Sequence, residues 1–222
     1  MNKTTLFDEL NLSITEQSSV IGGIWTSETD LTLSEEQWFE TIYLDITMHD
    51  NPFVIDIGAS TGCLSLFNKN LGFPIFSFEP NKVAFQELLN NVWNNQCNTL
   101  CYNVALGDQP GTAFMTQHPE LWGYGYNKIE KTPTELEVEI QKLDTMIPFN
   151  AEVTHVKIDV EGYELFVLKG MHRILSQKPT LYIEMIESNF QNFSYSSSDL
   201  IKFLESYDYN HIQIDENNFK FI

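Results

Sequence analysis

The chain has 222 residues and a formal net charge of −19, with 12 basic against 31 acidic side chains. Its length suffices for one domain with a sizeable core. Because an acidic surface repels phosphate backbones, we expect no nucleic-acid partner. The sequence contains no apolar run of the ~18 residues that a membrane span needs, and its polar start is unlike a signal peptide. Since the three cysteines follow no disulfide framework, we predict a cytoplasmic protein with reduced thiols.

The first fifty residues are polar and mixed in composition. We interpret 1–50 as a helical extension or lid and 51–222 as the main domain. Ser34 and Gln37 match a capping box, which predicts a helix that continues to roughly Met48. Its buried face would carry apolar residues at helical spacing, namely Trp38, Ile42 and Ile46.

Short apolar runs alternate with helical segments from residue 53 onward. The predicted main strands are 53–57, 74–78, 99–104, 154–159 and 180–185. The predicted helices are 64–70, 82–93, 164–175 and a last one that Ser196 to Asp199 would cap and that ends at Tyr207. Short strands or a hairpin are expected at 112–115 and 137–141, and a closing antiparallel pair at 211–214 and 218–222. This alternation predicts a doubly wound α/β fold with a mostly parallel sheet.

A glycine-containing loop follows the first predicted strand, and an acidic residue ends the second. In open α/β sheets, ligands bind beyond the carboxyl ends of the strands. An acid in that second position can accept hydrogen bonds from the ribose hydroxyls of a nucleoside, and the segment after the third strand would flank the base. The residues predicted to contact such a ligand are Asp56, Gly58, Ala59, Ser60, Gly62, Glu79, Pro80, Ala105, Leu106 and Asp159.

The spacing within this loop distinguishes between nucleoside ligands. A dinucleotide site has the pattern G-x-G-x-x-G, because a pyrophosphate rests on the helix N-terminus. The chain instead has Asp56, Gly58 and Gly62, and it lacks the middle glycine. An acid in the loop would repel a pyrophosphate and would suit the sulfonium and ammonium groups of S-adenosylmethionine. The alternatives are a nucleotide-dependent oxidoreductase such as an NAD enzyme, a non-catalytic binding domain, or a plain strand–helix turn.

A further motif follows the fourth predicted strand. The run Val-Lys-Ile-Asp-Val-Glu-Gly-Tyr-Glu at 156–164, with Leu-Lys-Gly at 168–170, resembles the signature of FkbM-type methyltransferases. The segments 56–62, 78–81 and 103–108 fit the same family in the same order, and the resemblance extends from about Gly22 to Glu187. It implies a class I methyltransferase fold with a seven-stranded sheet and S-adenosylmethionine as cofactor. It also implies O-methylation of a sugar, glycan or natural product.

Four side chains near the ends of the fourth and fifth strands are candidates for the chemistry: Lys157, Asp159, Glu161 and Glu184. Methyl transfer to oxygen requires an acceptor held about 3 Å from the methyl carbon, and it can use a base. We predict Asp159 as base or substrate-orienting acceptor and Glu161 as second candidate, with Lys157 tuning a carboxylate. Glu184 would face the same cleft. The structural alternatives are a Lys157–Asp159 ion pair, and helix capping by Glu161 or Glu184.

We predict no metal site, although Asp159, Glu161 and Glu184 could in principle hold a divalent cation. Cys97 and Cys101 resemble half of a metal site, but no second pair of ligands follows them.

An aromatic loop in the middle of the chain contains Trp122, Tyr124 and Tyr126. These rings could stack on a sugar or form a local apolar cluster. His155 is expected at the edge of the sheet opposite the ligand. The sequence predicts neither the identity of the methyl acceptor nor the oligomeric state.

Overall fold

A computed structural model describes residues 33–116, 128–130, 134 and 136–222. Trp122, Tyr124 and Tyr126 lie outside the described residues. The strands are β1 (Val54–Ile57), β2 (Ile75–Phe78), β3 (Thr99–Tyr102), β4 (Ala105–Leu106), β5 (Gly111–Met115), β6 (Ile129–Glu130), β7 (Leu136–Gln141), β8 (His155–Ile158), β9 (Thr180–Glu184), β10 (His211–Gln213) and β11 (Asn218–Phe221). The α-helices are α1 (Leu33–Thr47), α2 (Cys63–Phe67), α3 (Lys82–Asn95), α4 (Leu143–Met146), α5 (Glu164–Lys169), α6 (His172–Leu175), α7 (Glu187–Phe190) and α8 (Ser197–Glu205).

The main sheet has seven strands in the order β10-β11-β9-β8-β1-β2-β3. Strands β3, β2, β1, β8 and β9 are mutually parallel, whereas β11 is antiparallel to both β9 and β10. The predicted mostly parallel seven-stranded sheet with a C-terminal antiparallel strand is therefore confirmed. All four residues of β1 are buried, as expected for a central parallel strand that is covered on both faces.

The two faces of the sheet carry separate hydrophobic clusters. Ile55 and Ile57 of β1 belong to the larger cluster, and Val54 belongs to the smaller one, which also includes Tyr182 and the buried face of α1. Alternate residues of a strand point to opposite faces, so α1 covers the face that also carries Asp56. The predicted buried stripe of α1 is confirmed for Trp38, Ile42 and Ile46. The boundary at residue 50 stays a prediction.

A second sheet of four strands, in the order β4-β7-β5-β6, is inserted between β3 and β8. Strands β5 and β7 form an antiparallel pair in which Met115 faces Leu136, which confirms the short strands expected from the sequence, although β6 lies between them in the chain. Strand β4 then runs parallel to β7, pairing Ala105 with Ile140. The small sheet thereby brings residues of β5 and β6 beside the end of β3.

The helix expected over 164–175 is wrong, because the structure divides it into α5 and α6 on either side of Gly170. A Cβ atom at Gly170 would lie 2.1 Å from the carbonyl oxygen of Gly107, so a distant segment packs directly on this backbone. Ser34 lies inside α1 rather than in front of it, so the predicted cap at Ser34 is also wrong. In the part of the chain that the structure describes, no helix is long and apolar enough to cross a membrane.

Candidate functional site

A pocket of about 630 Å³, counting its open mouth, lies at the carboxyl ends of β1, β2 and β8. Seven of the residues predicted to contact a nucleoside line it: Gly58, Ser60, Glu79, Pro80, Ala105, Leu106 and Asp159. Glu161 lines it as well. Three other predicted contacts, Asp56, Ala59 and Gly62, are not among the lining residues. Their roles, like those of the rest, stay predictions.

The glycines of the β1–α2 loop allow neighbouring segments to pack closely. Gly58 has φ +75°, and a Cβ atom there would lie 1.8 Å from the carbonyl oxygen of Asp159. Gly62 has φ +97°, and its Cβ atom would lie 2.6 Å from Leu88 of α3. Both backbone angles favour glycine. The glycine pattern therefore reflects packing of the loop against β8 and α3 in addition to the ligand approach that we expected.

Glu79 at the end of β2 binds the loops on both sides of it. One carboxylate oxygen accepts a hydrogen bond from the backbone N–H of Ser60 at 2.9 Å, and the other accepts one from Asn81 at 2.8 Å. Each oxygen keeps a further lone pair, so the carboxylate can still accept a hydroxyl of a ligand. Burial raises the pKa of Glu79 to about 7 against the opposing effect of these hydrogen bonds.

Asn103 is a contact residue that the sequence analysis did not single out. Its side-chain amide donates to the carbonyl oxygens of Glu79 at 2.8 Å and Pro80 at 2.9 Å. The turn that carries Glu79 is thereby anchored to the residue that directly follows β3. A polar side chain at the carboxyl end of a predicted strand is a signal that could have revealed this contact.

Lys157 joins β1 to the loop beyond β8. Its ammonium group lies 3.2 Å from Oδ2 of Asp159 and 3.6 Å from Oδ1 of Asp56, and it donates to the carbonyl oxygen of Gly58 at 3.1 Å. Burial lowers the pKa of this lysine, but the carboxylates of Asp159 and Asp56 outweigh that effect and raise its pKa. The ion pair considered above is present. It also fixes the orientation of Asp159 at the pocket wall.

Asp159, Glu161 and Glu184 form an acidic cluster in which one oxygen of each lies within 4.8 Å of the others. Burial, and then the neighbouring Asp159, raises the pKa of Glu161 to about 8. The pKa of Glu184 is raised further, first by burial and then by the other two acids. Such oxygens suit a divalent cation, yet Lys157 already supplies a positive charge beside Asp159. The predicted absence of a metal stays a prediction.

The segment between β8 and α5 is fixed by Glu164. One of its oxygens accepts hydrogen bonds from the backbone N–H groups of Val160 at 3.2 Å and Gly162 at 3.1 Å. Glu161 instead accepts from the side-chain amide of Asn189 at 2.7 Å. The alternative in which Glu161 caps the following helix is therefore wrong.

Four apolar or aromatic residues that were not predicted as contacts complete the pocket. Val104 follows β3, Met115 and Ile129 come from the second sheet, and Tyr163 precedes α5. Val104 belongs to the segment that was expected to flank the base, and Tyr163 belongs to the motif at 156–164. Met115 and Ile129 were not predicted, because their proximity depends on how the second sheet packs beside β3. Together they give the pocket an apolar wall, which suits a flat base.

The two remaining predictions concern residues away from the pocket. His155 is buried at the start of β8, at the opposite end of that strand from Asp159. Burial lowers its pKa to about 4. No disulfide joins Cys63, Cys97 or Cys101, all of which lie in the part of the chain that the structure describes. Burial raises the pKa of Cys97 to about 11 and of Cys101 to about 12.

Comparison with solved structures identifies the fold as that of class I methyltransferases. The "Human methyltransferase 10 domain containing protein" superposes with a TM-score of 0.52 at 14% identity, covering 97% of this chain and 89% of that one. The N-terminal domain of human METTL16 in complex with S-adenosylhomocysteine gives 0.50 at 17% identity, covering 97% and 76%. An rRNA methylase from Streptococcus thermophilus gives 0.50 at 10% identity, covering 87% and 96%.

The chain belongs to the FkbM methyltransferase domain family, whose model matches residues 56–210. Among curated relatives, "Methyltransferase 1" of Beauveria bassiana is 23% identical over 165 residues, covering 63% of this chain and 66% of that protein. "Methyltransferase sdnD" of Sordaria araneosa is 28% identical over 158 residues, covering 54% and 61%. The chain thus spans just under two thirds of the length of these relatives. The family resemblance seen in the sequence is confirmed.

Proposed function

We propose that the protein binds S-adenosylmethionine and transfers its methyl group to a hydroxyl of a small molecule, such as a sugar, glycan or natural product. The observation that carries this proposal is the pocket in which a buried carboxylate, Glu79, faces an apolar wall. A nucleoside presents two groups that complement these features: a pair of ribose hydroxyls for the carboxylate and a flat base for the apolar wall. The position of the pocket at strand ends is the usual place for such ligands.

The lining residues suggest how the cofactor would lie. Glu79 would accept hydrogen bonds from the ribose, and the base would pack on Leu106 and Met115. The S-methyl end would then extend toward Asp159. The loop after β1 lacks the middle glycine of the pattern that the pyrophosphate of a dinucleotide needs. This favours a methyltransferase over the NAD-dependent alternative.

The cofactor brings an activated methyl group, so the protein has mainly to position the acceptor and to manage its proton. Asp159 is the proposed base or orienting acceptor, because it lines the pocket and Lys157 fixes its carboxylate. Glu161, which also lines the pocket, would contact the acceptor. Glu184 lies beside these two acids but is not among the lining residues. The choice of oxygen as the methylated atom follows from the family resemblance.

We propose no nucleic-acid substrate, because a net charge of −19 opposes binding of a phosphate backbone. Methyl transfer from radiolabelled S-adenosylmethionine to panels of glycosides, phenolic natural products and RNA tests this choice. Transfer to a hydroxylated small molecule, lost in Asp159→Asn, is the expected result. Transfer to RNA alone would overturn the proposed acceptor class and leave the cofactor assignment intact.

The Glu79→Gln variant tests the cofactor assignment. Glutamine keeps one acceptor oxygen and replaces the other by an NH2 group, which cannot accept from Ser60, Asn81 or ribose. We expect at least about tenfold weaker binding of S-adenosylhomocysteine, the equivalent of about 1.4 kcal/mol, by isothermal titration calorimetry. Glu205→Gln, at the end of α8 and exposed, is the matched control and should bind like the unmodified protein. Tight binding of NADH with no response to S-adenosylhomocysteine would falsify the assignment.

A further inference from the structure

The loop between β8 and α5 contains two consecutive residues with left-handed backbone angles. Glu161 has φ +56° and Gly162 has φ +106°. Glycine adopts such angles freely, but for a glutamate they cost about 1 kcal/mol or more. Surrounding contacts must therefore hold Glu161 in this conformation. The result is that its side chain lies at the wall of the pocket.

The contacts that hold the backbone on both sides of Glu161 come from Glu164 and Tyr195. One of its carboxylate oxygens accepts from the N–H groups of Val160 and Gly162, the residues on either side of Glu161. The hydroxyl of Tyr195 lies 3.1 Å from the other oxygen and 2.9 Å from the carbonyl oxygen of Gly162. Both peptide groups around Gly162 are thus tied to one buried network.

Ordinary helix capping does not account for this arrangement. Ser, Thr, Asp or Asn placed just before a helix caps it at little cost, whereas burying a carboxylate is expensive. Glu164 is 1% exposed, and burial raises its pKa to about 7. Val160 and Gly162, which donate to it, precede α5. The carboxylate therefore fixes the loop in front of the helix.

A second contact fixes the side chain of Glu161. Asn189 of α7 donates its amide to Oε2 of Glu161 at 2.7 Å. The carbonyl oxygen of Asn189 would lie 2.7 Å from a Cβ atom at position 162. Only glycine therefore fits between the loop and α7. The network fixes Glu161 through its backbone, and Asn189 fixes it through its carboxylate.

We propose that Glu164, together with Tyr195, is a positioning residue that holds Glu161 in its left-handed conformation beside the acceptor. That Glu161 lies beside the acceptor rests on the proposed function. That Glu164 and Tyr195 hold Glu161 in its conformation does not depend on it. Changes at Glu164 should therefore alter the surroundings of Glu161 without touching the residues that would bind the nucleoside.

The test is a pH titration of Glu161 by carboxyl ¹³C NMR, with the resonance assigned by its loss in Glu161→Gln. The acids and base near Glu161 are Asp159, Glu164, Glu184 and Lys128. Glu164→Gln removes one of these charges and keeps an acceptor for Val160 and Gly162, whereas Glu164→Ala removes both. We expect the pKa of Glu161 to stay within about one unit of its original value in Glu164→Gln. In Glu164→Ala the pKa of Glu161 should fall well below its value in Glu164→Gln, toward the ordinary 4.5.

Tyr195→Phe extends the test without removing a carboxylate, and we expect a smaller fall in the pKa of Glu161. Leu200→Ala, which leaves a cavity at the buried face of α8, is the control for lost stability and should leave the titration unchanged. Equal titrations in Glu164→Ala and Glu164→Gln, or no change in Tyr195→Phe, would overturn the proposal. Binding of S-adenosylhomocysteine to the unmodified protein is measured separately, because its absence would refute the proposed function and leave this result intact.

Discussion

Left-handed backbone positions determine how the loops beyond β1 and β8 fit against each other. Gly58 packs on the carbonyl of Asp159, and Gly162 packs on that of Asn189. Glu161 has a similar angle with a full side chain. Close approach of two strand-end loops, and not flexibility, is what these positions provide.

The Gly58→Ala variant should lose stability through a collision with Asp159. Gly72→Ala is the matched control, because Gly72 has φ +71° against +75° at Gly58, yet nothing lies within 4 Å of its added Cβ. Both variants suffer the backbone cost of about 1 kcal/mol. Urea unfolding should show a further loss of about 2 kcal/mol or more in Gly58→Ala. Equal losses in the two variants would show that the loop moves aside freely.

Residues at strand ends were the ones that the sequence could reveal. Gly58 and Glu79 follow short apolar runs, so their position at one edge of the sheet is a consequence of the alternating pattern. Glu164 gave no such signal, because its partner Tyr195 is 31 residues away. The hydrogen bond that Glu79 accepts from Ser60 depends likewise on how two loops meet. Such contacts are properties of the folded chain.

At the scale of elements, helix ends were predictable where the signal is local. The side chain of Ser196 accepts from the backbone N–H of Asp199, and the side chain of Asp199 accepts from the backbone N–H of Ser196. This reciprocal pair confirms the predicted cap of α8. The interruption at Gly170 was not predictable, since the backbone there packs on the carbonyl of Gly107, which belongs to another part of the chain.

Ser196→Ala should lower the free energy of unfolding by about 1 kcal/mol, because the capping box loses its acceptor. Ser198→Ala provides the comparison, since Ser198 is exposed inside the same helix. It should be neutral or slightly stabilising. Chemical denaturation of both variants measures the difference. A loss in Ser198→Ala as large as that in Ser196→Ala would mean that the cap contributes nothing specific.

At the scale of the whole molecule, buried acids concentrate around one pocket in a chain of net charge −19. Burial raises the pKa of Glu79 and Glu164 to about 7 and that of Glu161 to about 8. Glu184 is raised as well. Their ordinary value is 4.5, so between that pH and the raised values the folded state binds more protons than the unfolded state. Their stabilising contribution is complete below pH 4.5 and is lost as the pH rises through the raised values.

The unliganded protein should therefore become less stable between pH 7 and pH 8, by about 1–2 kcal/mol in urea unfolding at constant salt. His155 contributes little in this window, because its pKa is lowered from 6.5 to about 4. It is therefore mostly neutral above pH 7 in both the folded and the unfolded state. The double variant Glu161→Gln, Glu184→Gln should lose most of the pH dependence. Stability that rises over this range would contradict the assignment of these acids.

Strand β11 lies between β9 and β10, although it follows both in the chain. Until residues 218–221 are synthesised, β9 has an unpaired edge and β10 has no partner in the main sheet. Phe221 is 1% exposed in the folded protein, so its place in the hydrophobic core also stays empty until then. During translation this edge would be available to other chains. The newly made protein should therefore depend on chaperones until β11 has emerged from the ribosome.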